Sequence, residues 1–150
     1  MGIKVSIITV CYNTVGTIER TIQSVISQSY KDIEYIIIDG GSSDGTTEII
    51  NKYKERISYS VSEPDKGIYD AMNKGVIHAT GEWLNFMNAG DIYTSSNIIE
   101  SIIGKIPPRP SENPVCIIRG NILRIYKNFT VKSSGVTSQN PGLMDMFNNT

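Results

Sequence analysis

Two short runs limit the choice of fold more than anything else in the chain. Lys4–Val10 (KVSIITV) and Ile33–Asp39 (IEYIIID) are rich in β-branched residues, apolar along most of their length, and each stops at polar residues. A strand with one face in water alternates apolar with polar side chains, whereas a strand covered on both faces need not. These runs therefore read as buried strands of a parallel sheet. Between them Val15, Ile18, Ile22, Val25 and Ile26 recur at helical spacing behind cap chemistry at Asn13-Thr14, which predicts a helix reaching to about Gln28.

The alternation continues down the chain. Ser43 or Asp44 can cap a second helix with the face Thr46, Ile49, Ile50 and Tyr53. Tyr59–Ser62 reads as a third strand, and Glu63-Pro64-Asp65-Lys66-Gly67 as a turn. Ile68, Tyr69, Met72, Val76, Ile77 and Ala79 give a third helical face, ended by Gly81. Trp83–Met87 is a fourth strand running into Asn88-Ala89-Gly90-Asp91, and a last helix spans roughly Ser95 to Gly104. The order βαβαβαβα predicts an α/β fold with a Rossmann-like, open, mostly parallel sheet and flanking helices.

The pattern changes at Pro107. PPRPSENP (107–114) can be neither helix nor central strand. Beyond it Val115–Asn121, Ile122–Lys127 and Phe129–Ser133 read as short antiparallel strands. The expected organisation is a single domain whose residues 1–106 form the ligand-binding α/β region, with 107–150 opening a second region.

At 150 residues the chain has room for one core and not comfortably for two. A net charge of −1 without a basic run argues against nucleic acid as partner. No apolar stretch approaches the ~20 residues needed to cross a bilayer. The N-terminus enters a strand directly, with no long apolar segment or cleavage site, so no signal peptide is expected. Cys11 and Cys116 fit no metal spacing and read as buried thiols in a reducing, cytoplasmic setting.

In open parallel sheets ligands bind beyond the carboxyl ends of the strands. Four polar clusters fall there: Thr9 to Asn13, Asp39 to Asp44, Asp65 to Gly67, and Asn88 to Asp91. Asp39 ends an apolar strand where two glycines turn the chain. Held there, a carboxylate can accept hydrogen bonds from a base imide or a ribose hydroxyl, or simply cap the turn. Asp44 can contact a ligand or cap the second helix. Lys66 can pair with a phosphate or be a solvated turn residue. Asp91 can hold a hard cation or cap the helix that follows. His78, the single histidine, reads as a structural or surface residue. No GxGxxG, GxxxxGK[ST] or GxSxG occurs, which disfavours dinucleotide, P-loop and hydrolase-elbow sites.

Taken in order, VSIITVCYNTVGTIERTIQSVISQSYKDIEYIIIDGGSSDGT and EPDKGIYDAMNKGVIHATGEWLNFMNAGD resemble the opening blocks of the family 2 glycosyltransferases, over about Lys4 to Ile103. The resemblance implies the GT-A fold, a nucleotide-sugar donor (a UDP-sugar favoured) and a saccharide or lipid-linked saccharide acceptor. It further implies inverting transfer aided by Mn2+ or Mg2+. The variant with GIYDAMNKG and NAGD is similar to bacterial enzymes that build capsule, O-antigen or colanic-acid-type polysaccharide. By position it assigns Thr9, Tyr12, Asn13, Asp39, Ser42, Asp44, Asp65, Lys66, Gly67 and Asn73 to the nucleotide pocket. Gly75 falls on the helix beside the donor, and Asp91 on the metal. Such an enzyme works in the cytoplasm, in a manner compatible with peripheral membrane association and with oligomers.

The chain departs from the family pattern twice. Asn88 and Gly90 stand where many members carry aspartates of a DxDD motif, leaving Asp91 as the single carboxylate. Neither Glu112 nor Asp145 matches the motif of the catalytic base, which is expected beyond Thr150 in a longer enzyme. Two alternatives follow: a nucleotide-sugar-binding fragment or pseudoenzyme without transfer activity, and a nucleotidyltransferase. The second calls for a glycine-rich basic loop after the first strand, where this chain has CYNTVGT.

Overall fold

The computed structural model describes residues 2–105, 122–125 and 130–133. The chain divides into two compact units, Met1–Ile106 and Pro107–Thr150. The first contains β1 (Val5–Cys11), α1 (Ile18–Ile26), β2 (Ile33–Asp39), α2 (Thr46–Lys52), a 3-10 turn (Lys54–Arg56), β3 (Tyr59–Ser62), α3 (Ile68–His78), β4 (Trp83–Asn88) and α4 (Ile98–Ile103). Its four strands lie in the order β3-β2-β1-β4, all parallel.

The apolar runs become the two inner strands, β1 and β2. Their odd-numbered residues, Val5, Ile7, Cys11, Tyr35 and Ile37, pack against Ile18, Ile22 and Val25 of α1, Ile49 and Ile50 of α2, and Ile99 of α4. Their even-numbered residues, Ile8, Val10, Ile36 and Ile38, pack against Ala71 of α3. Covering both faces explains why these two strands show so little alternation. Each fully buried isoleucine contributes about 1.5–3 kcal/mol of transfer free energy.

Two expectations about helices are corrected. α1 begins at Ile18, so Val15 lies in the preceding loop and is 44% exposed. On α3 the buried residues that meet the sheet are small, Ala71 and Gly75, with Met72 half-buried against the same cluster, while Ile68, Tyr69, Val76 and Ile77 are exposed. A β-carbon on Gly75 would lie 2.4 Å from Ile8 Cγ2, which shows how closely the helix approaches β1. Of the expected apolar face, Met72 and Ala79 pack against the sheet, and the other four positions lie off the packed face.

At the starts of β1 and β2 the sheet carries a polar cluster in which Ser6 and Glu34 are buried. Glu34 accepts hydrogen bonds from Ser6 Oγ (2.6 Å), Lys4 Nζ (2.9 Å), Thr80 Oγ1 (2.7 Å) and the Thr80 backbone N–H (2.7 Å). Gly81 N–H donates to Ser6 Oγ at 2.8 Å. This cluster ties the α3–β4 connection to the starts of β1 and β2. Burial raises the Glu34 pKa, but the hydrogen bonds from Ser6, Thr80 and Lys4 outweigh it and bring it down to about 2.

His78 is exposed and stacks on Tyr59, ring centroids 3.8 Å apart, as a surface residue would. In the second unit β5 (Ile122–Ile125) and β6 (Thr130–Ser133) pair antiparallel. The strand expected at Val115–Asn121 lies outside the described residues, as do Glu112, Cys116 and Asp145. Among the described residues no helix is long and apolar enough to cross a membrane.

Candidate functional site

The carboxyl ends of β1, β2 and β3 are aligned in register, with Cys11 beside Asp39 and Asp39 beside Ser62. Asp39 is completely buried. One of its oxygens, Oδ1, accepts hydrogen bonds from Ser42 Oγ and from the Cys11 thiol (3.4 Å). The other, Oδ2, accepts from the Ser42 backbone N–H (2.8 Å) and from Ser62 Oγ (2.5 Å). Burial raises the carboxyl pKa, but these donors, led by Ser42 and Ser62, hold it below the ordinary carboxylate value. Desolvation and the neighbouring Asp39 charge push the Cys11 thiol far up, so it stays protonated and serves as a donor.

The loop after β1 is cross-braced to the loop after β2. Asn13 adopts a left-handed conformation (φ 50°), which asparagine tolerates better than most residues. Its backbone N–H donates to Ser42 Oγ (2.7 Å) and its Oδ1 accepts from Ser43 N–H (3.0 Å). Asp44 accepts from Val15 N–H (3.0 Å), Thr46 N–H (3.0 Å) and Thr46 Oγ1 (2.6 Å). Hydrogen bonds from Thr46, then Val15, hold its carboxyl below the ordinary range. Asp44 thus braces the α2 start and the β1 loop. The brace leaves Tyr12 at the rim, 62% exposed.

The turn after β3 lies against Gly40 and Gly41. A β-carbon on Gly40 would be 2.6 Å from Asp65 Oδ2 and 3.3 Å from the Tyr12 ring. Gly41, at φ 83°, would meet the backbone of Pro64 at 3.3 Å. Asp65 Oδ1 accepts from Gly67 N–H at 2.8 Å, and Lys66 N–H donates to Asp70 Oδ2 at 3.1 Å. Lys74 fastens the turn to α3 through Glu63 (2.8 Å) and the Pro64 carbonyl (3.1 Å). The side chain of Lys66 is exposed and makes no hydrogen bond or ion pair among the described residues.

Across β1 lies the end of β4. Ala89 N–H donates to Val10 O (3.1 Å), Gly90 N–H to Thr21 Oγ1 (2.9 Å), and Asp91 N–H to Asn88 O (3.0 Å). This tight turn, with Gly90 at φ 106°, presents an exposed Asp91 carboxylate. Asp91 is not a helix cap, because α4 starts at Ile98 behind Asn97. Among the described residues no group of three or more His, Cys, Asp or Glu side chains is placed to hold a metal ion. The exposed Asp91 carboxylate fits a hard cation, whose further ligands can include phosphate oxygens and water.

Two assigned residues stand apart from this edge. Thr9 is fully buried, with its hydroxyl 3.1 Å from the Tyr35 hydroxyl. Strand alternation turns it into the core beneath Cys11, so its side chain lines no open pocket. Asn73 is exposed on α3 and makes no hydrogen bond to the edge loops among the described residues. Gly75 serves the packing of α3 on β1. Sequence reasoning missed Ser62, Cys11 and Lys74 as parts of the site. Cys11 and Ser62 become visible only through the register that sets them beside Asp39, although both end apolar or β-rich runs at the ligand-binding edge.

A family model described as glycosyl transferase family 2 matches residues 6–134. The chain belongs to glycosyl transferase family 2. It is 39% identical over 108 residues to the uncharacterized glycosyltransferase Rv1514c of Mycobacterium tuberculosis (strain ATCC 25618 / H37Rv), a match covering 69% of this chain and 41% of that protein. It is 39% identical over 99 residues to the Escherichia coli UDP-Glc:alpha-D-GlcNAc-diphosphoundecaprenol beta-1,3-glucosyltransferase WfaP, covering 65% of this chain and 39% of that protein. The family 2 chain thus spans about two fifths of the length of these relatives.

Among solved structures, S. aureus TarS 1-349 in complex with UDP-GlcNAc superposes with a TM-score of 0.62 at 22% identity, over 67% of this chain and 30% of that one. Mannosyltransferase PcManGT from Pyrobaculum calidifontis, in complex with GDP-Man and Mn2+, gives a TM-score of 0.60 at 25% identity, over 64% of this chain and 30% of that one. The parallel sheet with flanking helices is the GT-A fold, as the sequence resemblance implies.

Proposed function

We propose that this chain forms the donor-binding part of a glycosyltransferase that moves a sugar from a nucleotide sugar, a UDP-sugar favoured, to an acceptor hydroxyl with inversion. One observation carries this reading. Tyr12, Asp39, Ser42, Ser62 and Asp65 gather at one end of β1–β3, while the free Asp91 carboxylate stands beyond β1 on the same edge. Strands at two removes lie roughly 10 Å apart, a separation suited to a base at one end and a diphosphate at the other.

In this reading Tyr12 offers a stacking surface and the Asp39 cluster faces the base. Asp65, through its contact with Gly40, closes the side of the pocket, and the Lys66 ammonium is free to reach a phosphate. Mn2+ or Mg2+ held by Asp91 would neutralise charge on the departing diphosphate. The residue that deprotonates the acceptor is not among the described edge-loop residues. Residues 107–150 are proposed to begin the acceptor side. The diphosphoundecaprenol in the name of the E. coli relative supports a lipid-linked acceptor and bacterial surface polysaccharide as product, with the enzyme at the cytoplasmic face of the membrane.

The test is a thermal-shift series with UDP, GDP and CDP, each with and without Mn2+. A rise in melting temperature with at least one diphosphate, enlarged by Mn2+, is expected. No shift with any of them overturns the reading.

A further inference from the structure

Three polar side chains on one side of α1 hold the segment that follows β4. Thr21, Ser24 and Gln28 recur at spacings of three and four, so they form a stripe along α1 and just past its end. Thr21 is fully buried and Gln28 is buried. Burying a hydroxyl or an amide is costly unless it is hydrogen-bonded. Each of the three meets backbone, in chain order. Thr21 Oγ1 accepts from Gly90 N–H (2.9 Å). Ser24 Oγ donates to Thr21 O (2.9 Å) and accepts from Tyr93 N–H (3.3 Å). Gln28 Nε2 donates to Ser95 O (2.8 Å), and its Oε1 accepts from Ile99 N–H (3.2 Å).

Asp91 lies between the first two of these anchors. Its N–H donates to Asn88 O (3.0 Å), and its exposed carboxylate makes no hydrogen bond among the described residues. Among those residues no group of three or more His, Cys, Asp or Glu side chains is placed around a metal, so the aim of this carboxylate is left to the backbone that carries it. That backbone includes Gly90 at φ 106°, a conformation glycine enters and leaves easily. We propose that Thr21 and Ser24 are positioning residues for Asp91 as a metal ligand: α1 holds the chain at Gly90 and at Tyr93 and so fixes the carboxylate between them. Gly90 is exposed, and water could take its N–H proton. A fully buried hydroxyl on a packed helix takes it instead, and that tie keeps the turn in one shape.

The proposal rests on the reading of Asp91 as the holder of Mn2+ or Mg2+, and the experiment separates the two. Dissociation constants for Mn2+ at saturating UDP, and for UDP without metal, are measured on the native chain, Thr21→Val, Thr21→Ser and Ser24→Ala. Thr21→Val is expected to weaken Mn2+ binding by about tenfold, with metal-free UDP binding within about twofold of native. Thr21→Ser, which keeps the hydroxyl, should restore native Mn2+ binding, and Ser24→Ala should show a smaller loss than Thr21→Val. An unchanged Mn2+ constant in Thr21→Val, or in Ser24→Ala should the first variant not fold, overturns the proposal. So does a loss of metal-free UDP binding as large as the loss of Mn2+, which a merely structural role would give. A native chain that binds UDP but not Mn2+ overturns the metal reading of Asp91 itself.

Discussion

Ser62 and Asp39 stand directly opposite each other in the β2–β3 register, and the hydroxyl of the first donates to the carboxylate of the second. Asp39 collects donors from three segments: Cys11 on β1, Ser42 on the following loop and Ser62 on β3. Replacing it with asparagine turns an amide N–H₂ toward those donors. Asp39→Asn is expected to lower stability by about 1–3 kcal/mol, read as a shift in the urea midpoint at neutral pH. An unchanged midpoint would mean the cluster does not hold the three segments together.

Glu34 makes stability depend on acid. Its folded-state pKa lies near 2 against an ordinary 4.5, so the unfolded chain takes up the proton first. The stabilisation is complete above about 4.5 and is lost as pH falls toward about 2. Glu34→Gln should therefore be less stable than the native chain at neutral pH, by about 1–3 kcal/mol. The two should converge toward about pH 2–3. Parallel urea titrations across that range check this, and a gap that stays constant with pH would contradict it.

Gly75 leaves room for Ile8. The β-carbon of an alanine would fall well inside van der Waals contact with a methyl group that is packed on every side. Gly75→Ala should cost about 1–3 kcal/mol by forcing α3 off β1, despite the better helix propensity of alanine. A stabilised variant in thermal or urea unfolding would show that helix propensity outweighs the contact.

Gly40→Ala acts on the site more than on the core. Its methyl group would displace the Asp65 carboxylate and press on Tyr12. The expected result is weaker UDP binding, by about tenfold or more, with a melting temperature within a few degrees of native. Calorimetric titration beside a thermal melt distinguishes this from simple unfolding.

Asp91→Ala should leave the fold intact, because the exposed carboxylate makes no hydrogen bond among the described residues and the turn is held by backbone bonds. It is expected to abolish the extra thermal shift that Mn2+ adds to UDP. A retained metal response would place the cation elsewhere.

The fold was legible because its two inner strands are covered on both faces, and that condition writes itself into composition as IEYIIID and VSIITV. The helix faces were legible only where burial and apolar periodicity coincide, as in α1. On α3 they part: the helix sits so close to the sheet that the fully buried positions are Ala71 and Gly75, with Met72 half-buried beside them, while Ile68, Tyr69, Val76 and Ile77 are exposed. The site followed the same rule. Asp39, Asp65 and Asp91 could be found because they end strands or follow them, at the edge where parallel sheets bind ligands. Thr9 could not be separated from its neighbours without knowing which face it occupies. Ser62 gained meaning only when register set it beside a residue twenty-three positions earlier.

The strand order carries a consequence for how the molecule is made. β1 sits between β2, which follows it almost at once, and β4, whose first residue, Trp83, pairs with Val5 across more than half the chain. Pairings of that length form late, after the closure entropy of the intervening segment has been overcome. During synthesis the Asp39 side of the edge can close as soon as β3 has emerged, while the turn bearing Asp91 must wait for β4. The two ends of one ligand groove therefore mature at different moments, and the β4 side of β1 remains an open edge in the interval, the point at which a nascent chain is most exposed to pairing with the wrong strand.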